Sequence, residues 1–209
     1  MSARFPRLLL LLSLGLVAGG LRAAEPRTIV CFGDSLTAGY GLEDPAREAY
    51  PALLQGRIDA ARLPWRVVNA GLSGETTSGG LRRVDWILRQ PVDIFVLALG
   101  ANDGLRGIEP AVSAANLQGI IARVRATHPA ARIVLAGMLM PPNMGEDYAR
   151  EFAAMFPALA AKNRVAFIPF LLAGVGGRAE LNQPDGMHPT AAGAAVVAEN
   201  VWAVLHPLL

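Results

Sequence analysis

Beyond residue 25 the chain is written in short apolar runs separated by longer stretches with a helical beat. The runs 28–32, 65–69, 94–99, 133–138 and 165–168 each have the length of a strand and few polar residues. Between and after them, apolar residues recur at offsets of three, four and seven. One set is Tyr50, Leu53, Leu54 and Ile58; another is Leu117, Ile120, Ile121 and Val124; a third is Phe152, Met155, Phe156 and Leu159. Ala194, Val197, Ala198, Val201 and Leu205 form the last. That spacing predicts amphipathic helices, although Pro157 falls inside the third set and should kink or split its helix. Strands that are apolar throughout are covered on both faces, and strands alternating with helices run parallel. The expected fold is therefore α/β, with three layers around a five-stranded parallel sheet. No internal repeat, low-complexity linker or shift in composition marks a second domain.

The N-terminus follows a different pattern. Arg4 and Arg7 precede an uncharged run of 14 residues, 8–21, rich in leucine, and Arg22, Ala23, Ala24 and Glu25 follow. A basic, apolar, small-residue order is that of a secretory signal peptide, and a membrane span needs roughly 20 apolar residues. Residues 1–23 are thus expected to be a cleaved signal, and 24–209 a single exported domain, periplasmic or secreted, with no stable membrane anchor. The segment 1–23 holds three of the 19 basic residues and no acid, so the remainder carries 16 basic against 17 acidic residues. Nothing in that balance points to nucleic acid. Cys31 is the single cysteine, so no intramolecular disulfide forms, and its place in an apolar run makes it a small buried hydrophobe.

In a parallel sheet, ligands bind outside the carboxyl ends of the strands. The segments leaving those ends are polar and rich in glycine: Gly33-Asp34-Ser35, Ser73-Gly74-Glu75, Gly100-Ala101-Asn102-Asp103 and Asp185-Gly186-Met187-His188. A serine hydroxyl becomes a nucleophile beside a base, and the base needs a third group to fix its tautomer. Of the three histidines, His128 and His206 each precede a proline where a helix should end, which leaves His188, with Asp185 three residues before it. Ser35, His188 and Asp185 are the candidate nucleophile, base and orienting acid. Gly74, lacking a side chain, can offer its N–H to an oxyanion, and Asn102 can offer its amide. Taken singly, each has a plainer reading: Ser35 as a helix cap, Asp185 and Asn102 as turn residues, Gly74 as a turn glycine. Their joint placement on one edge favours a site.

Those four blocks, in this order and spanning nearly all of 24–209, resemble the blocks of the SGNH, or GDSL-type, hydrolases. Within that family the run 33–41 and Gly104-Leu105-Arg106-Gly107 are most similar to the bacterial periplasmic thioesterase, lysophospholipase and arylesterase subgroup. The resemblance implies Ser35, Asp185 and His188 as a triad and the Ser35 N–H, Gly74 N–H and Asn102 as oxyanion donors. Gly71 is a rival for the glycine position. The nucleophile elbow G-x-S-x-G is absent, because Thr37 stands at its second glycine, which favours the flavodoxin-like layout of this family.

Other functions fit less well. A dinucleotide-binding module would carry a third glycine where Asp44 stands after Gly39 and Gly41. An inactive ligand-binding relative would have lost part of the triad. A carbohydrate O-acetyl esterase would have a small polar pocket, whereas the 138–144 loop holds three methionines suited either to an acyl chain or to core filling. Leu105, Ile108 and Met140 are the expected acyl contacts. The substrate is expected to be a small acyl ester or thioester. Neither a cofactor nor a metal is called for, since three dispersed histidines and one cysteine have no ligand spacing.

Overall fold

The computed structural model describes residues 25–209, so the expected signal segment 1–23 lies outside the described residues. Five strands, β1 (Arg27–Gly33), β2 (Trp65–Gly71), β3 (Ile94–Ala98), β4 (Arg132–Ala136) and β5 (Ala166–Ile168), form one sheet in the order β2-β1-β3-β4-β5. All pairings are parallel, with Ile29 opposite both Val67 and Ile94. The apolar runs locate every strand to within two residues at either end. Ile29, Val30, Cys31 and Phe32, with Ile94, Phe95, Val96 and Leu97, are fully buried, as the central strands of a doubly covered sheet must be.

Among the described residues eight helices surround it: α1 (Ser35–Ala38), α2 (Pro45–Glu48), α3 (Tyr50–Ala60), α4 (Thr77–Ile87), α5 (Ala101–Leu105), α6 (Pro110–Thr127), α7 (Glu146–Asn163) and α8 (Ala191–Leu205). Helices α3 and α8 pack together on one face, and α4, α6 and α7 form the opposite layer. The window Ala191–Leu208 has the length and apolarity to cross a membrane. Val197, Ala198, Val201 and Leu205 are nevertheless buried in the core, which accounts for that apolarity.

Two elements depart from expectation. Helix α4 is not picked out by the apolar spacing, because its buried face includes Thr77 and Gly80 beside Val84 and Ile87. Gly80 is small for a reason: a Cβ there would lie 2.4 Å from Leu99 Cδ1. Helix α7 continues through Pro157 rather than splitting. Pro157 lies on the exposed side, where water can satisfy the carbonyl that loses its partner, while Phe152, Met155, Phe156 and Leu159 hold the opposite side in the core.

The same glycine-to-alanine change should act with opposite sign at two places. Gly56 is exposed within α3, and a Cβ would meet nothing within 4 Å, so Gly56→Ala should stabilise by roughly 0.5–1 kcal/mol. At Gly71 a Cβ would lie 2.2 Å from the Ala38 backbone nitrogen, and Gly71→Ala should cost at least about 1–3 kcal/mol. Urea unfolding of both variants checks this; equal effects would contradict the packing of β2 against α1.

Candidate active site

The strand order reverses direction at β1, since β2 lies to one side of it and β3 to the other. The loops leaving β1 and β3 part there and open a crevice at their carboxyl ends. Ser35 enters that crevice as the first residue of α1, with Asp34 as the cap: Asp34 Oδ1 accepts from the Leu36 N–H at 3.0 Å. The first N–H groups of a helix have no partner inside it, so the backbone beside Ser35 is a ready anion contact.

His188 arrives from the far end of the chain. Its Nε2 lies 2.8 Å from Ser35 Oγ and its Nδ1 lies 2.6 Å from Asp185 Oδ2. A carboxylate only accepts, so Nδ1 carries the proton and Nε2 is left to accept from the serine hydroxyl. The other carboxylate oxygen, Asp185 Oδ1, accepts from the backbone N–H of His188 at 3.0 Å and of Met187 at 2.9 Å. The His188 N–H first, then its ring and the Met187 N–H, hold the Asp185 pKa down to about 2, so this carboxylate is ionised at any ordinary pH. An imidazole that donates to a carboxylate and accepts from a hydroxyl is the arrangement that makes serine nucleophilic.

The two glycines weighed from sequence are separated by their surroundings. The Gly71 N–H donates to Asn69 Oδ1 at 2.9 Å, and its Cα faces the α1 backbone, so it has nothing to offer a ligand. Gly74 borders the cleft with φ +77°, a left-handed conformation that glycine adopts without strain, and among the described residues its N–H has no partner. Asn102 also borders the cleft, and its amide donates to the Glu75 carbonyl at 3.1 Å, which leaves one N–H for a ligand.

Behind this edge are groups that the sequence did not single out. Asp103 is fully buried and accepts from the Thr77 N–H at 2.8 Å, from the Thr77 hydroxyl, and from the Ser113 hydroxyl at 3.1 Å. It thereby ties the Asn102 loop to α4 and α6. Tyr40 packs beside His188, with ring centroids 4.7 Å apart and ring planes tilted by 47°. The cleft itself has a volume of about 870 Å³. Its apolar wall includes Leu105, Met138, Met140, Met144, Phe170 and Leu172. Met138 and Met140 are also almost entirely buried, so the methionines serve the core and the cleft together. Ile108 does not line the cleft. Its carbonyl, just past the end of α5, accepts from the Tyr148 hydroxyl at 2.8 Å. The remaining histidines sit at helix ends, His128 bonded to the Leu88 carbonyl at 2.9 Å and His206 stacked on Trp202. Cys31 is buried, and burial pushes its thiol up to about 12.

With this geometry in place, comparison with known proteins is decisive. Residues 31–196 match the GDSL-like Lipase/Acylhydrolase family. The chain belongs to that family. It is 40% identical over 187 residues to the esterase TesA of Pseudomonas aeruginosa, covering 89% of this chain and 91% of that one. It is 36% identical to the thioesterase 1/protease 1/lysophospholipase L1 of Escherichia coli K12, over 90% and 88% of the two chains. A crystal structure of TesA superposes with a TM-score of 0.82 at 40% identity, covering 88% of this chain and all of that one. Family membership agrees with the SGNH resemblance drawn from the four blocks, and the parallel five-stranded fold agrees with its flavodoxin-like layout.

Asp34 carries a further, measurable consequence of its place. It is 1% exposed, and its Oδ2 has no hydrogen-bond partner among the described residues. Burial first, opposed by the Leu36 N–H and assisted by Glu75 and Asp103, raises its pKa from 3.8 to about 7. Between those values the folded protein holds a proton that the unfolded chain has released, so this group's contribution to stability falls as pH rises from about 4 to about 7 and then levels off. Asp34→Asn keeps the cap and removes that loss. Melting temperatures of wild type and variant measured from pH 4 to pH 8 should diverge in favour of Asn as pH rises, whereas parallel curves would refute the assignment.

Proposed function

We propose that this protein is an exported serine esterase that moves the acyl group of a carboxylic ester or thioester first to Ser35 and then to water. The observation that carries the proposal is the pair of hydrogen bonds running from Asp185 through His188 to Ser35 at the edge of an apolar cleft. His188 Nε2 takes the hydroxyl proton as Ser35 Oγ attacks the carbonyl carbon. The tetrahedral oxyanion accepts from the N–H groups of Ser35 and Gly74 and from the Asn102 amide. His188 then returns the proton to the leaving oxygen or sulfur, and a water repeats the sequence on the acyl-enzyme. Asp185 remains ionised throughout and stabilises the imidazolium that forms at each step.

The substrate reading rests on the cleft wall. Leu105, Met140 and their neighbours give an acyl chain an apolar surface, and methionine adapts to chains of different length. The curated relatives named as esterase and as thioesterase and lysophospholipase support this class. Export rests on the basic, apolar and small-residue order of 1–23.

A fluorophosphonate should label the protein once, on Ser35, and Ser35→Ala should lose activity by on the order of a millionfold; retention within tenfold of wild type would remove Ser35 from the mechanism. Asn102→Ala should lower kcat by roughly a hundredfold to a thousandfold with little change in KM. An effect confined to KM would make Asn102 a ground-state contact. Each buried methylene is worth about 0.8 kcal/mol, so kcat/KM on p-nitrophenyl esters should rise a few-fold per carbon from acetyl to hexanoyl. Leu105→Asp should flatten that rise. Were acetyl the best substrate of the wild type, a carbohydrate acetyl esterase would replace the acyl-chain reading.

A further inference from the structure

Ser35 and His188 belong to segments that share little. Segment 33–44 leaves β1 through the four-residue α1, and segment 181–190 is irregular, with Asp185 and His188 in neither a helix nor a strand. Among the described residues, two hydrogen bonds join these segments. One is the contact between His188 and Ser35. The other runs from the Gln183 amide to the Tyr40 carbonyl at 2.8 Å. The first must break and re-form in every turnover, because Ser35 gives its proton to His188 and is then acylated. The second is free to persist.

Gln183 is tied to all three members of the triad. Its backbone carbonyl accepts from the Gly186 N–H at 2.9 Å, which closes the turn containing Asp185. Its backbone N–H donates to the His188 carbonyl at 2.7 Å, and its Nε2 donates to the Pro189 carbonyl at 3.0 Å as well as to Tyr40. The Tyr40 N–H in turn donates to the Ser35 carbonyl at 3.0 Å. Gln183 is therefore bonded to His188 directly and to Ser35 through Tyr40. Yet it does not line the cleft. Gly41 guards the same contact from the other segment: its φ is +73°, and a Cβ there would lie 2.0 Å from Gln183 Oε1. Gly41 is also outside the cleft wall, so a side chain at 41 and truncation at 183 would break one contact from opposite sides.

We propose that Gln183 is a positioning residue, which by holding the Tyr40 and Pro189 carbonyls keeps Ser35 within reach of His188 while the hydrogen bond between them breaks and re-forms. This rests on the serine-hydrolase reading above and adds what sets the alignment of its triad. Misplacing reacting groups by about 1 Å costs on the order of a hundredfold in rate, whereas substrate binding, in which Gln183 takes no part, is spared.

The test measures kcat and KM for p-nitrophenyl butanoate and the rate at which a fluorophosphonate labels Ser35. Rates are expressed per Ser35 labelled at completion, so unfolded protein does not count. Gln183→Ala should lower kcat and the labelling rate together by roughly tenfold to a hundredfold, with KM within about twofold. Gln183→Glu keeps the length but, ionised, can only accept, and should fall at least as far. Gly41→Ala should slow the wild type roughly tenfold but the Gln183→Ala background less than about twofold, because the contact it breaks is already gone. A role in folding alone would lower the melting temperature and leave kcat per active site unchanged. Losses that multiply in the double variant, a loss confined to KM, or kcat within about threefold of wild type in both Gln183 variants would each overturn the proposal. If Gln183→Ala is not recovered folded, Gly41→Ala decides, and a kcat near wild type overturns it. Ser35→Ala separates the two readings: inactive, it keeps the triad whatever becomes of Gln183; active, it removes both.

Discussion

A central parallel strand has no polar face to spare. Its side chains must be covered above and below, and its connections must cross the sheet as helices, which consumes both faces for stability. In this protein β1 and β3 obey that constraint completely, with Ile29 to Phe32 and Ile94 to Leu97 sealed from water. Polar groups can then gather only at the strand ends, where the backbone leaves the ladder and turns. The switch of direction between β2 and β3 around β1 selects which of those ends stand apart. Ser35, Gly74 and Asn102 are displayed at that opening because the sheet leaves them nowhere else to go.

Two buried carboxylates behind the opening show how differently the same group can be used. Asp103 accepts from Thr77 twice and from Ser113, so both its oxygens have partners, and it fastens the Asn102 loop to two helices. Asp34 accepts from the Leu36 N–H but leaves one oxygen without a partner among the described residues, in the field of Glu75 and Asp103. Its cap forms the turn that exposes Ser35, and the unsatisfied oxygen is an energetic cost of that turn. Strain of this kind at a functional edge is affordable only because the adjoining core is closed.

Much of this was legible in the residues because core and site obey different local rules. Continuous apolar runs located all five strands, since burial on both faces leaves nothing to alternate, and three-four spacing located α3, α6, α7 and α8. Helix α4 escaped because its inner face is built from Thr77 and Gly80 as much as from Val84 and Ile87; close approach to Leu99 and Phe32 demanded smallness where the pattern looks for bulk. Pro157 misled because the cost of proline depends on whether water reaches the freed carbonyl, which a one-dimensional pattern does not record. At the site, the chemistry-bearing side chains were readable as residue types on one edge. The cleft wall was not: Phe170, Leu172 and Tyr40 come from loops without a periodicity, and Ile108, though next to the right loop, is not part of the lining. The family resemblance already favoured Gly74 over Gly71, but the physical reason, that the α1 backbone occupies the space at Gly71, is not written in the sequence.

The hydrogen bond between Ser35 and His188 joins residues 153 positions apart, and its 2.8 Å length requires two irregular loops to keep a fixed relation. Gln183 supplies that relation. Its amide donates to the Tyr40 carbonyl at 2.8 Å, on the loop that follows Ser35, and to the Pro189 carbonyl at 3.0 Å, just beyond His188. Its backbone N–H donates to the His188 carbonyl at 2.7 Å. Both amide hydrogens are committed, so a rotation of either loop would strand a carbonyl or a donor. Gly41 lies against the same amide so closely that any side chain there would displace it: a Cβ would fall 2.0 Å from Gln183 Oε1. Tyr40, held by its own carbonyl in this clasp, rests its ring beside the imidazole. The nucleophile and its base are thus registered through backbone carbonyls rather than through side chains that touch substrate, which leaves the cleft wall free to vary without disturbing the alignment.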